Sequence, residues 1–385
     1  MAGTLIIGAG QAAASLAAKL RALGDTAPIT ILGDEPAAPY QRPPLSKAYL
    51  LGEMGLDRLE LRAPDWWAEN DIRLLTGTTA LHIDRAAKTV ETSAAALPYD
   101  RLALTTGATP RPLAGALTIR NLADVDALRP RLQPGQRLVV IGGGYIGLEA
   151  AAVARKLGLE VTLIEAAPRI LGRVAATETA DMIRALHQRH GVTLLENTAI
   201  TGITPTAVTL TDRNIPADLV IAGIGVTPNT ALAETAGLAS DNGIATDEQG
   251  RTSDPAIWSA GDCASFPWRG TQLRLESVGN AIDMAELVAE NMLGAGKPYV
   301  PKPWFWSDQF DAKLQIAGLN TGFDRTVTRP SDQGGSVWYF AKDRLLAVDA
   351  LNDPRAYMVG KRLIDAGRSA DPALIADAPD LKALL

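Results

Sequence analysis

The sequence predicts an α/β protein carrying two strand, glycine turn, helix, strand units and a small α+β piece after them. Three observations predict it. An apolar run near the start enters a glycine-rich turn, the same pattern returns from Leu138, and a Gly/Pro-rich connector precedes the stretch from Pro301 to Leu385. The 385 residues, 47% hydrophobic and 21% charged, have globular composition, and at roughly 150 residues per domain they predict two or three domains. No uncharged apolar run reaches the roughly 18 residues that a membrane span needs, because the best candidate, Leu219 to Ala233, is interrupted by Gly223, Gly225, Pro228 and Asn229. The uncharged start lacks a basic segment and already holds Gly8, Gly10, Gln11 and Ser15, so it reads as folded protein rather than a secretory signal.

The first unit runs from the strand Thr4 to Ile7 through Gly8-Ala9-Gly10-Gln11-Ala12-Ala13, an alanine- and leucine-rich helix to Leu23, and a strand from Ile29 to Leu32. The second runs from Leu138 to Ile141 through Gly142-Gly143-Gly144-Tyr145-Ile146-Gly147, a helix to Leu157, and a strand from Val161 to Ile164. Between and after them, Pro98, Gly107, Pro110 and Pro112, and later Pro205, Asp212 and Pro216, punctuate shorter β-rich segments. The connector Gly294 to Pro303 leads into a final piece with 11 basic and 11 acidic residues. The net charge of -6, from 37 basic and 43 acidic side chains, therefore sits in the first 300 residues and argues against nucleic acid as the main partner.

A strand followed by a glycine turn and a helix binds a pyrophosphate for three reasons. The first glycine permits the turn, the second lets the backbone approach, and the helix N-terminus offers unpaired N-H groups. Ala13 and Gly147 are the third small residues, where helix and strand pack closely. Past the second strand of each unit stands an acid, Glu35 in the first, with Asp34 beside it, and Glu165 in the second. Such a carboxylate can accept both ribose hydroxyls and repels a 2'-phosphate, so the second site is expected to prefer NADH to NADPH. Two such Rossmann-like domains in one chain imply two dinucleotides, and FAD with NADH is the pairing that makes a hydride pathway.

With these units and the following motifs, the chain resembles the FAD-dependent pyridine nucleotide-disulfide oxidoreductases, and among them the ferredoxin reductases of bacterial P450 and Rieske oxygenase systems. The carrying segments are Pro39-Tyr40-Gln41-Arg42-Pro43-Pro44-Leu45-Ser46-Lys47, Thr105-Thr106-Gly107-Ala108-Thr109-Pro110-Arg111, Ile119-Arg120-Asn121-Leu122 and Gly261-Asp262. The resemblance implies a glutathione reductase-like fold, with an FAD-binding domain from 1-112 and 237-300, an NAD-binding domain from 113-236 and a C-terminal domain from 301-385. It implies FAD contacts by Gly8, Gly10, Ala13, Glu35, Arg42, Lys47, Ala80, Thr105, Thr106, Gly107, Arg120, Gly261, Asp262, Glu276, Val278 and Trp306. For NADH it implies Gly142, Gly144, Ile146, Gly147, Glu149, Glu165 and Gly225. Thr105 stands where the family has alanine.

Cys263 is the only cysteine, so neither an internal disulfide nor a redox-active thiol pair can form, and a reducing cytoplasm is expected. By the resemblance, Cys263 is a small residue at the ribityl side of the flavin. Of the three histidines, His82, His187 and His190, the last two share a helix, where surface or half-buried positions are expected and no metal site is completed. The implied reaction is hydride transfer from NADH to the flavin, then single electrons to a small acidic [2Fe-2S] ferredoxin. Lys47 and Glu149 are the expected tuning residues, Lys47 by attracting the negative charge of the reduced flavin. Arg355, Lys361, Arg362 and Arg368 are the expected docking cations, and the assembly is expected to be a monomer or weak dimer. Two other readings stay open: an NADH oxidase or quinone-type reductase, and an NADH-sensing flavoprotein that acts by binding a partner.

Overall fold

A computed structural model describes residues 2–331, 333–376, 378 and 380–385. The chain forms two compact units, one of Met1–Gln41, Leu56–Thr109 and Val226–Pro301, the other of Arg42–Gly55, Pro110–Gly225 and Lys302–Leu385. Five helices organise them: α1 (Gln11–Ala22), α2 (Tyr145–Lys156), α3 (Thr177–Arg189), α4 (Val278–Met292) and α5 (Pro354–Asp365).

In the first unit a parallel sheet has the order 257–259, 101–104, 4–7, 29–32, 72–75. Alternation decides its two faces. Ile6 joins a core with α1 and α4, whereas Leu5 and Ile7 join Ile83 and Val90 of the antiparallel strands that cover the other face, and Tyr99 just after them. The α1–α4 seam is made of Ala12, Ala13, Ala17, Ala281, Ala285 and Ala289, small side chains that bring two helices close. Cys263 is fully buried in the Leu5–Ile7 core, its thiol against the Leu104 and Ala260 carbonyls. The expected place at a flavin edge is therefore corrected to a packing position, where the thiol serves as a small hydrophobe.

The second unit repeats the layout. Its parallel sheet has the order 193–195, 160–164, 137–141, 219–222. In both units, a three-stranded antiparallel sheet (80–84, 89–92, 97–98; then 200–204, 207–210, 214–216) precedes the strand that returns beside the first one. The stretch 302–385 adds a five-stranded sheet, antiparallel throughout, with α5 packed on it through Val359 and Leu363. It is fastened to α3 by buried polar bonds: Thr179 donates to Asp349 at 2.8 Å, and the Ala176 N-H donates at 3.0 Å to the Tyr339 hydroxyl, which itself donates to the same carboxylate. Burial pushes the Asp349 carboxyl up to about 6.

Residues 42–55 and 302–385 cluster with the second glycine unit, and 226–236 cluster with the first, where Asn229 and Thr106 exchange side-chain to backbone bonds at 2.7 and 2.8 Å. Gly147 sets how closely α2 lies on its sheet, since a Cβ there would stand 2.0 Å from the Gly142 carbonyl oxygen. Gly147→Ala is expected to destabilise the protein by about 1–3 kcal/mol, read as a lower denaturant midpoint at unchanged m-value.

Candidate active site

The turn at Gly8 has φ 102°, and a Cβ there would lie 2.2 Å from the Thr105 carbonyl oxygen. Thr105 closes this junction, its buried hydroxyl lying 3.0 Å from the Ile7 carbonyl and 3.1 Å from that of Gly8. The hydroxyl that replaces a methyl is therefore satisfied locally. Gly10 is the cap residue of α1, with no side-chain cap, no acid in the first turn and open space where its Cβ would be. Such a terminus keeps its N-H groups and positive dipole end for an anion. Ala13 is fully buried in the core beneath, and Gly261 abuts Ala12, its Cβ position 3.1 Å from that methyl. The loop of Gly261 and Asp262 therefore lies against the first turn of α1.

The remaining predicted residues of this unit hold one another in place. Glu35 accepts the Tyr40 hydroxyl at 2.6 Å. Asp262 offers its carbonyl to Arg274 at 3.1 Å, and Arg274 pairs with Glu276 at 2.7 Å. Val278 opens α4, whose cap is the Ser277 hydroxyl accepting from Asn280 N-H. Gly107 has φ 66°, and Ala80 begins a strand packed on the Leu5–Ile7 core.

In the second unit Gly144 caps α2 in the same open manner, without a side-chain cap or an acid in the first turn. Gly142 has φ 104°, and Gly225 has φ 96° with open space at its Cβ position. Ile146 is exposed at the first turn of α2, as is Ile224 in the loop beside Gly142. The Glu165 carboxylate accepts Gly143 N-H at 2.6 Å and Ala167 N-H at 2.7 Å, so it is aimed by two backbone donors at the turn. Arg42 donates to the Arg120 carbonyl at 2.8 Å. Both helix termini fit a dinucleotide pyrophosphate, and Glu165 fits a ribose.

The sequence paired Lys47 with Glu149 by role; the structure pairs them by contact. Glu149, 1% exposed on α2, accepts Lys47 Nζ at 2.7 Å and Ser46 Oγ at 2.5 Å on one oxygen, and Ser307 Oγ at 2.6 Å on the other. Burial raises its pKa, opposed by the Lys47 charge and the bonds from Lys47, Ser307 and Ser46. An exposed helix position for Glu149 is thereby excluded, and Lys47 does not act as an uncompensated cation. Ser307 reaches Glu149 because the strand Trp304–Gln309 alternates. Phe305, Ser307 and Gln309 face the helices, with the Phe305 ring 4.7 Å from that of Tyr145, while Trp306 lies on the other face, stacked with Trp304 at 5.4 Å.

Sequence reading missed Ser46, Ser307, Gln309 and His187. For the first three the signal available was α2 itself, apolar almost all round, which requires cover on every side; His187 left none. His187 corrects the expectation for the histidine pair: it is fully buried, with Nε2 2.8 Å from Gln309 Oε1, while His190 stacks on Phe310. Burial pushes His187 down to about 4. Because the unfolded chain binds the proton near 6.5 and the folded one does not, this group costs stability progressively as pH falls from about 6.5 towards 4. His187→Phe is expected to flatten that part of the stability curve, measured by denaturant melts across the range. Lys47→Met strands a buried carboxylate and is expected to cost about 3–5 kcal/mol, with part recovered in the Lys47→Met/Glu149→Gln double variant.

Residues 3–285 match the family described as pyridine nucleotide-disulphide oxidoreductase, and 304–385 match the reductase C-terminal family. The chain is 42% identical to putidaredoxin reductase of Pseudomonas putida, over 97% of this chain and 94% of that one. It is 39% identical to the anthranilate 1,2-dioxygenase system ferredoxin-NAD(+) reductase component of Burkholderia cepacia, over 97% and 96%. The reductase in a crystal structure of the covalent putidaredoxin reductase-putidaredoxin complex superposes with a TM-score of 0.95 at 41% identity, covering 99% of this chain and 97% of that one.

Proposed function

Because this chain belongs to the pyridine nucleotide-disulphide oxidoreductase family, we propose that it is a cytoplasmic ferredoxin-NAD(+) reductase, taking electrons from NADH through FAD to a [2Fe-2S] ferredoxin that feeds a P450 or Rieske oxygenase. Of the relatives named above, one is a putidaredoxin reductase and the other the ferredoxin-NAD(+) reductase component of an anthranilate 1,2-dioxygenase system. The observation that carries the reading is the pair of open helix termini, α1 and α2, together with a single, buried thiol. Two dinucleotides have a place, and no dithiol stands between them and an acceptor. Bound FAD supplies the chemistry the chain lacks, accepting a hydride and releasing electrons singly.

The protein's own work is positioning and charge. The α1 terminus, with Gly8, Gly10 and Ala13, holds the FAD pyrophosphate, Glu35 its adenosine ribose, and Asp262 a ribityl hydroxyl. Ala80, Thr105, Thr106, Gly107, Glu276 and Val278 complete the flavin contacts of this unit. The α2 terminus, with Gly142, Gly144, Ile146 and Gly147, holds the NADH pyrophosphate, Gly225 leaves room for the nicotinamide half, and Glu165 accepts the ribose hydroxyls. Lys47 and Glu149 form a compensated pair, so their contribution is a fixed dipole and an oriented ammonium rather than a net charge. Among the expected docking cations, Lys361 pairs with Asp365 at 2.6 Å and Arg355 with Asp380 at 3.7 Å. Exposed Arg362 and Arg368, without an ion pair among the described residues, are the docking pair for an acidic ferredoxin.

The decisive experiment is anaerobic titration of the yellow protein with NADH, followed by a panel of [2Fe-2S] ferredoxins. Bleaching and then reoxidation by a ferredoxin supports the reading; turnover that oxygen or a quinone sustains equally well overturns it. Arg362→Glu with Arg368→Glu is expected to raise the KM for ferredoxin while leaving NADH-ferricyanide turnover intact. Glu165→Ala is expected to lower kcat/KM for NADH by roughly tenfold, the loss of a charged hydrogen bond, and to narrow the gap to NADPH.

A further inference from the structure

A buried hydrogen-bond chain leaves Glu149 in the direction of α3. Ser307 Oγ donates to Glu149 Oε1 at 2.6 Å, Gln309 Nε2 donates to Ser307 Oγ at 3.0 Å, and His187 Nε2 lies 2.8 Å from Gln309 Oε1. None of the four side chains is more than 2% exposed. The lysine–glutamate pair does not by itself require the last two links.

Their directions are forced one by one. A hydroxyl has a single proton, and that of Ser307 is committed to the carboxylate, which can only accept. Gln309 must therefore turn its NH2 to Ser307 and its carbonyl oxygen to His187, so the imidazole proton sits on Nε2. The remaining nitrogen, Nδ1, is buried without a partner among the described residues. If residue 149 became a donor, every link would reverse: Ser307 would donate to the Gln309 oxygen, Gln309 would donate to Nε2, and the imidazole proton would move to Nδ1. That arrangement strands a buried N-H, a rarer orphan in proteins than an under-satisfied acceptor. The orphaned nitrogen thus biases the whole chain toward a carboxylate at Glu149. An amide does not pass protons, so the chain transmits orientation and not a proton.

The groups around His187 leave this bias in place. His190, the C-cap of α3, hydrogen-bonds Asp311 and stacks on Phe310, whose ring meets His187 edge-on at 5.1 Å. Lys156 is spent on the Phe310 carbonyl at 3.0 Å. Burial keeps the imidazole neutral at physiological pH, with its pKa near 4.

We propose that His187 is a positioning residue for the Lys47–Glu149 pair, holding Glu149 in its ionised, acceptor-only form through Gln309 and Ser307. Its catalytic meaning rests on the role given to that pair above.

With three histidines in the chain, long-range proton–nitrogen spectra of the histidine-labelled, FAD-loaded protein read the tautomer directly. His187 is expected as the neutral Nε2-H form. In Glu149→Gln the carboxamide oxygen keeps Lys47 and Ser46 and the NH2 meets Ser307, so His187 is expected to switch to Nδ1-H. Ser307→Ala is expected to abolish that response. An Nδ1-H tautomer in the wild type, or no switch in folded Glu149→Gln, overturns the chain, and the wild-type spectrum decides alone if that variant does not fold. Gln309→Leu is expected to slow flavin bleaching by NADH roughly fivefold, about one hydrogen bond's worth, at unchanged KM for NADH; an unchanged rate overturns the positioning role. A tautomer switch in Glu149→Gln with undiminished bleaching would remove the pair from catalysis while leaving the chain established.

Discussion

A carboxylate in the interior has to be compensated, and Glu149 is the one around which the second unit is assembled. Its two oxygens take three donors from two stretches far apart in sequence, Ser46 and Lys47 from one and Ser307 from the other. The two stretches belong to different elements, so the helix α2 cannot keep this residue buried unless the proline-rich segment and the first C-terminal strand are both in place. An unpaired ion there would cost several kcal/mol, which makes the pairing a condition of the fold as much as a feature of the site.

The two parallel sheets obey a simpler constraint. In each unit the helix that follows the glycine turn must lie close enough on its strand for the terminus to face a phosphate, and must leave that terminus uncapped. Alanine at position 13 and glycine at position 147 meet the first demand, Gly10 and Gly144 the second. The units differ in what covers the helix. Alanines of α4 cover α1, whereas α2 is covered by the strand Trp304–Gln309, whose alternation sends Ser307 and Gln309 inward and the stacked Trp304 and Trp306 to the other face. One strand thereby contributes a polar link on one side and an aromatic surface on the other.

The single thiol has been placed where it does no redox work. Cys263 is packed among Leu5, Ile7 and Leu104, so electrons that reach the flavin have no sulfur relay within this chain. An iron-sulfur partner able to take them singly is the acceptor whose chemistry matches that arrangement.

The sequence by itself determined the two α/β units almost to the residue, because strands at Thr4–Ile7, Ile29–Leu32 and Arg137–Ile141 and the helices that follow the glycine turns are written in local patterns: apolar runs, glycines that need φ near 100°, and alanine-rich stretches. It also determined the acids past each second strand, since spacing along one βαβ unit fixes them. Only the tertiary structure decided what depends on contacts between distant segments. The burial of His187, the neutralisation of Lys47, the core position of Cys263 and the grouping of 42–55 with 302–385 leave no local signal. A charge or an imidazole reads the same in sequence whether solvent or a partner more than a hundred residues away satisfies it, and the free energy that separates those two environments exists only once the chain has closed around it.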